Sequence, residues 1–249
     1  MGLLDLFSKE KSRERNANRA INKYAQSPDR MKALQSLATD GSPEALYGLL
    51  RRFGMMYDKT IDDEQEKEWV FETLAAKGGV VLDPLKKYLL AADSISWPLR
   101  LLDKIVATKD EVIDVVAYVM TRHEPGYERD PTKKIQLLNH LAGIKNARVP
   151  ALAAPYLADM DEGVRYAAAE TLLREEDETA AREPLLDVFT SDKEESKRLR
   201  IRIADGFAQL GWPLGDRRAE VEKRLPETFQ IVARGKEPAR ITKKETAKG

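Results

Sequence analysis

No cysteine occurs among the 249 residues. That absence removes disulfides, thiolate-bound zinc and a cysteine nucleophile together, and fits a cytoplasmic protein. Histidine is nearly absent too: His123 and His140 are the two available. They fall on different elements without the Glu-x-x-His spacing of a helical metal site, so no metal is expected. Long apolar runs are missing, since Val115-Val116-Ala117-Tyr118-Val119-Met120 falls far short of the roughly 20 residues that cross a bilayer. Charge of one sign is not in excess, with 42 Lys plus Arg against 42 Asp plus Glu. No global field therefore favours nucleic acid or an anionic membrane, and neither is an expected partner. The Gly-x-Ser-x-Gly, Walker, Gly-x-Gly-x-x-Gly and His-Glu-x-x-His signatures are also lacking. No catalytic residue and no cofactor is expected on that ground.

What is present is helical. Hydrophobic residues make up 42% and charged residues 34%, a balance that folds and stays in water. Apolar residues recur at three- and four-residue spacing almost throughout, whereas alternating β-branched runs and Asn-Gly turns are scarce, so the chain reads as all-α. The clearest unit runs from Val149 to Glu175. Pro150 opens a first helix with Leu152, Ala153, Tyr156 and Leu157, and a short acidic turn leads into a second with Val164, Ala167, Ala168, Thr171 and Leu172 on one face. Comparable second helices start near Pro28, Asp62, Ile95, Pro131, Asp161 and Glu194, at intervals of roughly 30 to 36 residues, as in helical repeats.

The run Leu152-x-x-Pro155-x-Leu157-x-Asp159-x-Asp161-x-x-Val164-Arg165-x-Ala167-Ala168-x-Glu170-x-Leu172 resembles the consensus of a bacterial HEAT repeat. The motif covers about 25 residues, and elsewhere helix spacing and small residues alone agree. The resemblance implies a right-handed α-solenoid of about six HEAT-like hairpins over residues 16–232. It also implies that Asp159 and Arg165 form a structural ladder pair linking successive turns. Residues 1–15 read as a flexible or amphipathic N-terminal arm, and 233–249 as a disordered basic tail. Asp216 to Val232, broken by Pro226, reads as a capping helix.

Two connections are longer than a repeat turn needs. In the first, at 54–61, Met55, Met56 and Tyr57 either continue the preceding helix into the core or form an adaptable recognition surface. In the second, at 122–131, Arg122, His123, Tyr127 and Arg129 surround a Pro-Gly turn that is either a rigid surface turn or a binding loop. In a solenoid both connections emerge on one edge and form one candidate site. The second helices of HEAT arrays usually line the concave face, where Arg198 and Arg202 stand outward on the last of them, with Lys133, Lys134, Arg100 and Lys104 extending the basic trend. The acidic runs 62–64 and 175–178 read as helix N-termini or solvated turns. Trp69, Trp97 and Trp212 read as core anchors.

The expected function is a non-catalytic scaffold or adaptor that binds another protein, with an acidic segment as the fitting partner. The resemblance also offers an enzymatic alternative, because some HEAT-like families act as bilin lyases or DNA glycosylases. A further alternative is weak membrane contact through residues 1–15, where Leu3, Leu4, Leu6 and Phe7 precede a basic stretch.

Overall fold

The computed structural model describes residues 3–58, 60–233 and 235–244. The chain divides into two compact units, Met1–Arg122 and His123–Gly249. The first contains α1 (Leu3–Ala20), α2 (Ser27–Asp40), α3 (Pro43–Leu50), α4 (Thr60–Lys77), α5 (Leu82–Ala91), α6 (Ser96–Ile105) and α7 (Lys109–Met120). The second contains α8 (Thr132–Leu141), α9 (Val149–Ala153) with a 3-10 turn at Ala154–Ala158, α10 (Glu162–Glu175), α11 (Glu178–Thr190), α12 (Lys197–Leu210) and α13 (Arg218–Glu222). It ends in β1 (Phe229–Val232) and β2 (Arg240–Lys243), paired antiparallel with Ile231 opposite Ile241.

The chain is mostly helical, and within each unit helices pack on the next-but-one helix along the chain. In the first unit α2 packs on α4 and α4 on α6, while α3 packs on α5 and α5 on α7. In the second, α10 lies between α8 and α12, with α11 against the 154–158 turn and α13. Local chemistry starts and stops these helices. Asp161, Asp177 and Ser196 each accept a hydrogen bond from the backbone N–H three residues on, capping α10, α11 and α12. Gly41 and Gly211, at φ 64° and 66°, end α2 and α12 in the left-handed conformation that glycine adopts without a Cβ clash. The second-unit core is apolar: Leu137, Leu138, Leu172, Leu185, Phe189, Ile203, Phe207 and Trp212 are all buried. Each large side chain contributes about 1.5 to 3 kcal/mol on burial. The expected anchoring role of Trp212 holds, with its ring edge-on to Phe207 at 5.5 Å.

Three expectations are corrected. Of the two readings of residues 1–15, flexible or amphipathic, the flexible one is set aside, because residues 3–20 form a helix that docks on α2 and α3, where Asn16 donates to Ser36 and Arg13 pairs with Asp40. The side chains of residues 1–7, on which cap and membrane readings of the N-terminus turn, lie outside the described residues. The capping helix expected over 216–232 is only the short α13. Beyond Pro226 the chain turns into a β-hairpin, so the tail expected to be disordered from 233 contributes a strand that packs on α12. The physical reason lies in the alternation of Phe229 and Ile231, which with Ile241 gives the hairpin apolar side chains, and Phe229 and Ile241 are buried.

Candidate functional site

In the first unit, residues 54–61 come after a 3-10 turn, Arg51–Gly54, that carries Arg52 inward. Met55 is buried, Met56 is 84% exposed, and Tyr57 lies under the Arg30 guanidinium at 4.1 Å. Met55 therefore belongs to the core and Met56 to the surface. Beneath this segment five charged side chains are buried together. Glu66 accepts from Arg30 Nη2 at 2.8 Å and from Arg52 Nε at 2.9 Å, and Asp63 accepts from Arg52 Nη2 at 2.7 Å and pairs with Lys67 at 2.5 Å. Burial alone would raise the Glu66 and Asp63 carboxyls, but the hydrogen bonds from their cationic partners hold both below the usual carboxylate range. Asp63 lies in the first turn of α4, as the helix N-terminus reading of the 62–64 run has it, and is buried rather than solvated. Every member has its partner, so the cluster holds α2 and α4 together and offers no vacant group to a ligand.

The connection at 122–131 is held down from below in the second unit. Lys134 Nζ, buried, donates to Gly126 O and to Asp159 Oδ2, both at 2.8 Å, and Asp159 Oδ2 also accepts from Gly126 N at 3.0 Å. His123 Nδ1 meets Glu128 Oε1 at 2.8 Å, while Tyr156 Oη donates to the His123 carbonyl at 2.9 Å. Burial, and after it the Asp159 charge, push the Tyr156 phenol up to about 12, so it stays a donor at any physiological pH. Arg122 and Arg129 are exposed and Tyr127 is 82% exposed. Lys133 and Lys134 are buried, so neither stands outward on α8 as the basic trend required. Lys134 is drawn inward by its ion pair with Asp159.

The Asp159–Arg165 ladder takes a different form from the one the repeat resemblance implies. Arg165 Nη1 donates to the Asp159 main-chain carbonyl at 3.0 Å, and its Nε and Nη2 bind the Glu194 carboxylate at 2.7 and 3.0 Å. The Asp159 carboxylate instead pairs one repeat back, with Lys134. Each side chain links a different neighbouring hairpin, because two buried carboxylates one repeat apart each claim one cation. Burial favours the neutral acid of Glu194, but Arg165 and the Ser196 N–H outweigh it and keep its carboxyl below the ordinary range.

Arg198 and Arg202 come together on the outward face of α12, over a cavity of about 720 Å³ lined also by Tyr166, Ile201, Asp205, Thr228, Phe229, Lys243 and Lys244. Its volume is that of a small-molecule site. Arg202 Nε binds Glu170 Oε2 at 2.5 Å, while Arg202 Nη1 is buried with no hydrogen-bond partner among the described residues. Arg198 lies 4.0 Å above the Tyr166 ring, and its side chain is 65% exposed. Lys243 Nζ stands 2.5 Å from Asp205 Oδ1, a charge contact outside hydrogen-bond geometry, and Asp205 Oδ2 accepts from Gln209 Nε2 at 2.7 Å. Phe229, Lys243 and Lys244 do not read as site residues in the sequence, where they fall in the expected capping helix and basic tail. Their signal was the alternation in 228–232 and 240–243, short enough to pass for loop.

A cavity of similar volume lies between the 154–158 turn and α11, but its central charges, Arg165 and Glu194, are bound to each other. Among the described residues no group of three or more His, Asp or Glu side chains converges as a metal site, and no helix is long and apolar enough to cross a membrane.

No family model matches the chain, and no curated protein matches it. Among solved structures it is similar to human deoxyhypusine hydroxylase in complex with glycerol, at 14% identity and a TM-score of 0.31, over 90% of this chain and 96% of that one. That neighbour is an enzyme, which stands against the expected non-catalytic scaffold, and that expectation is withdrawn. A likeness of this size transfers no fold detail, reaction or residue to this chain.

Proposed function

We propose that the chain is a HEAT-like enzyme of the cytoplasm, a right-handed α-solenoid of about six hairpins that takes an anionic substrate with an apolar body on the outward face of α10 and α12. The observation that carries this reading is the cavity: Arg198, Arg202, Lys243 and Lys244 surround Tyr166, Ile201 and Phe229, with Asp205 as the lining carboxylate. Cations in a partly enclosed site attract an anion more strongly than they do in bulk water. A ligand oxygen would also satisfy the buried Arg202 Nη1, which otherwise carries the cost of an unmade hydrogen bond. In this reading Asp205 would accept a proton from a bound substrate, and Lys243, 2.5 Å away, supports it by stabilising negative charge.

Of the two activities the family resemblance brings, an open-chain tetrapyrrole bearing two propionates suits this small amphiphilic cavity better than a DNA duplex. The 42 cationic residues are matched by 42 acidic ones, so no net charge favours a phosphate backbone. Without cysteine the chain would hold the bilin non-covalently. Mixing the protein with a bilin should shift the visible absorption band, and Arg202→Gln should weaken that binding about tenfold, the loss of one charge-assisted hydrogen bond. No spectral change with bilin, alongside salt-sensitive binding and base release from damaged duplex DNA, would move the reading to a glycosylase. Failure of both would remove the enzyme reading.

A further inference from the structure

We infer that Arg198 selects a planar, conjugated ring, which the cavity holds by stacking it on the guanidinium while the ligand's carboxylate or phosphate meets Arg202 and Lys243. This deepens the anion-binding reading above and rests on it. Arg198 lies 4.0 Å over the Tyr166 ring centroid, so one face of the guanidinium is covered by an aromatic. Its side chain is nonetheless 65% exposed, and both residues line the cavity, which leaves the other face open to a ligand. Glu162 Oε2 lies 3.5 Å from Arg198 Nη1. A guanidinium is a flat, weakly hydrated cation, and its uncovered face stacks well on conjugated rings. Lysine in the same place would supply charge without a plane.

The apolar surroundings agree. Ile201, on the same helix α12, is 46% exposed, and Phe229 closes the cavity from the hairpin side. Arg202 is held by Glu170 at 2.5 Å and so meets a ligand from a fixed position, while Lys243, 62% exposed beside Asp205, adds positive charge to the cavity lining. A ring on Arg198 and an acid group toward Arg202 together define an aromatic or conjugated acid.

The test compares 2-naphthoate with its saturated counterpart, decalin-2-carboxylate, by isothermal titration against the full-length protein. The two carry the same charge and nearly the same apolar bulk, and only one is planar. Naphthoate should bind about tenfold more tightly, the scale of one stacking contact. Arg198→Lys should bring the two acids to within about twofold of each other, while Arg202→Gln or Lys243→Gln should weaken both together. A circular dichroism spectrum matching the parent protein accompanies each variant. Naphthyl phosphate in place of naphthoate then separates a phosphate-bearing ligand from a carboxylate-bearing one. Equal affinity for planar and saturated acids in the unaltered protein, or an undiminished preference in Arg198→Lys, would overturn the stacking role and leave the anion site standing. If naphthoate, decalin carboxylate and naphthyl phosphate all fail to bind, the anion site itself is wrong.

Discussion

Glu66→Gln is the perturbation that the first unit should feel most. The side chain is 2% exposed and sits between two guanidiniums that are themselves fully buried. It accepts from Arg30 Nε and Nη2, from Arg52 Nε and from Ser27 Oγ. Glutamine keeps the shape but removes the charge and presents an N–H₂ group to donors. Arg30 and Arg52 are then left with one buried carboxylate nearby, that of Asp63, which already serves Lys67. Breaking a buried pair from one side costs about 3 to 5 kcal/mol, because the remaining charge cannot be rehydrated. With a urea slope of about 2 kcal/mol per molar, the midpoint should fall by roughly 2 M.

Tryptophan fluorescence can report the loss by unit, since Trp69 and Trp97 lie in the first and Trp212 in the second. Keeping Trp69 and Trp97 with Trp212→Phe isolates the first unit. The effect should also depend on pH. The folded Glu66 carboxyl lies below its ordinary value of 4.5. Its contribution is therefore fully present above that pH and is lost as pH falls through the lower folded value. The gap between parent and variant should accordingly be constant near neutrality and close in acid. A loss under about 1 kcal/mol at neutral pH, the size typical of a surface pair, would refute the claim that this cluster is dry and mutually dependent.

The second unit offers further tests. Arg165→Met strands the buried Glu194 carboxylate and should destabilise by about 2 to 4 kcal/mol in urea titration, with Arg165→Met/Glu194→Leu recovering most of the loss. Gly206→Ala sets helix propensity, worth about 1 kcal/mol in favour of alanine, against a Cβ placed 2.4 Å from Leu173 Cδ2 in a packed core. Net destabilisation is expected by thermal melting, and Leu173→Ala should turn the same substitution from harmful to harmless. Tyr156→Phe removes the hydrogen bond to the His123 carbonyl and should raise hydrogen exchange at 123–128 at a global cost of only about 1 kcal/mol.

The helical architecture was legible because it is written in local terms. Second helices expected near Pro28, Asp62, Ile95, Pro131, Asp161 and Glu194 begin at Ser27, Thr60, Ser96, Thr132, Glu162 and Lys197. Their caps, apolar periodicity and turn residues lie within a few positions of one another along the chain. The site was legible in part. The outward placement of Arg198 and Arg202 on α12 followed from helical periodicity. Tyr166 and the hairpin residues did not, since they come from roughly 30 to 45 residues away on either side, and no local pattern announces that meeting.

Charge was the least legible property. The sequence by itself determined that 42 cations and 42 anions had to be accommodated, that helices would carry them, and which side of each helix would be apolar. Only the tertiary structure decided their fates. Lys134 and Asp63, which read as surface groups, are buried in ion pairs, whereas Arg198 stays open beside a cavity. A charged residue on a helix shoulder is inside or outside according to whether an opposite charge one hairpin away reaches it. That reach is set by helix packing rather than by neighbours in the chain.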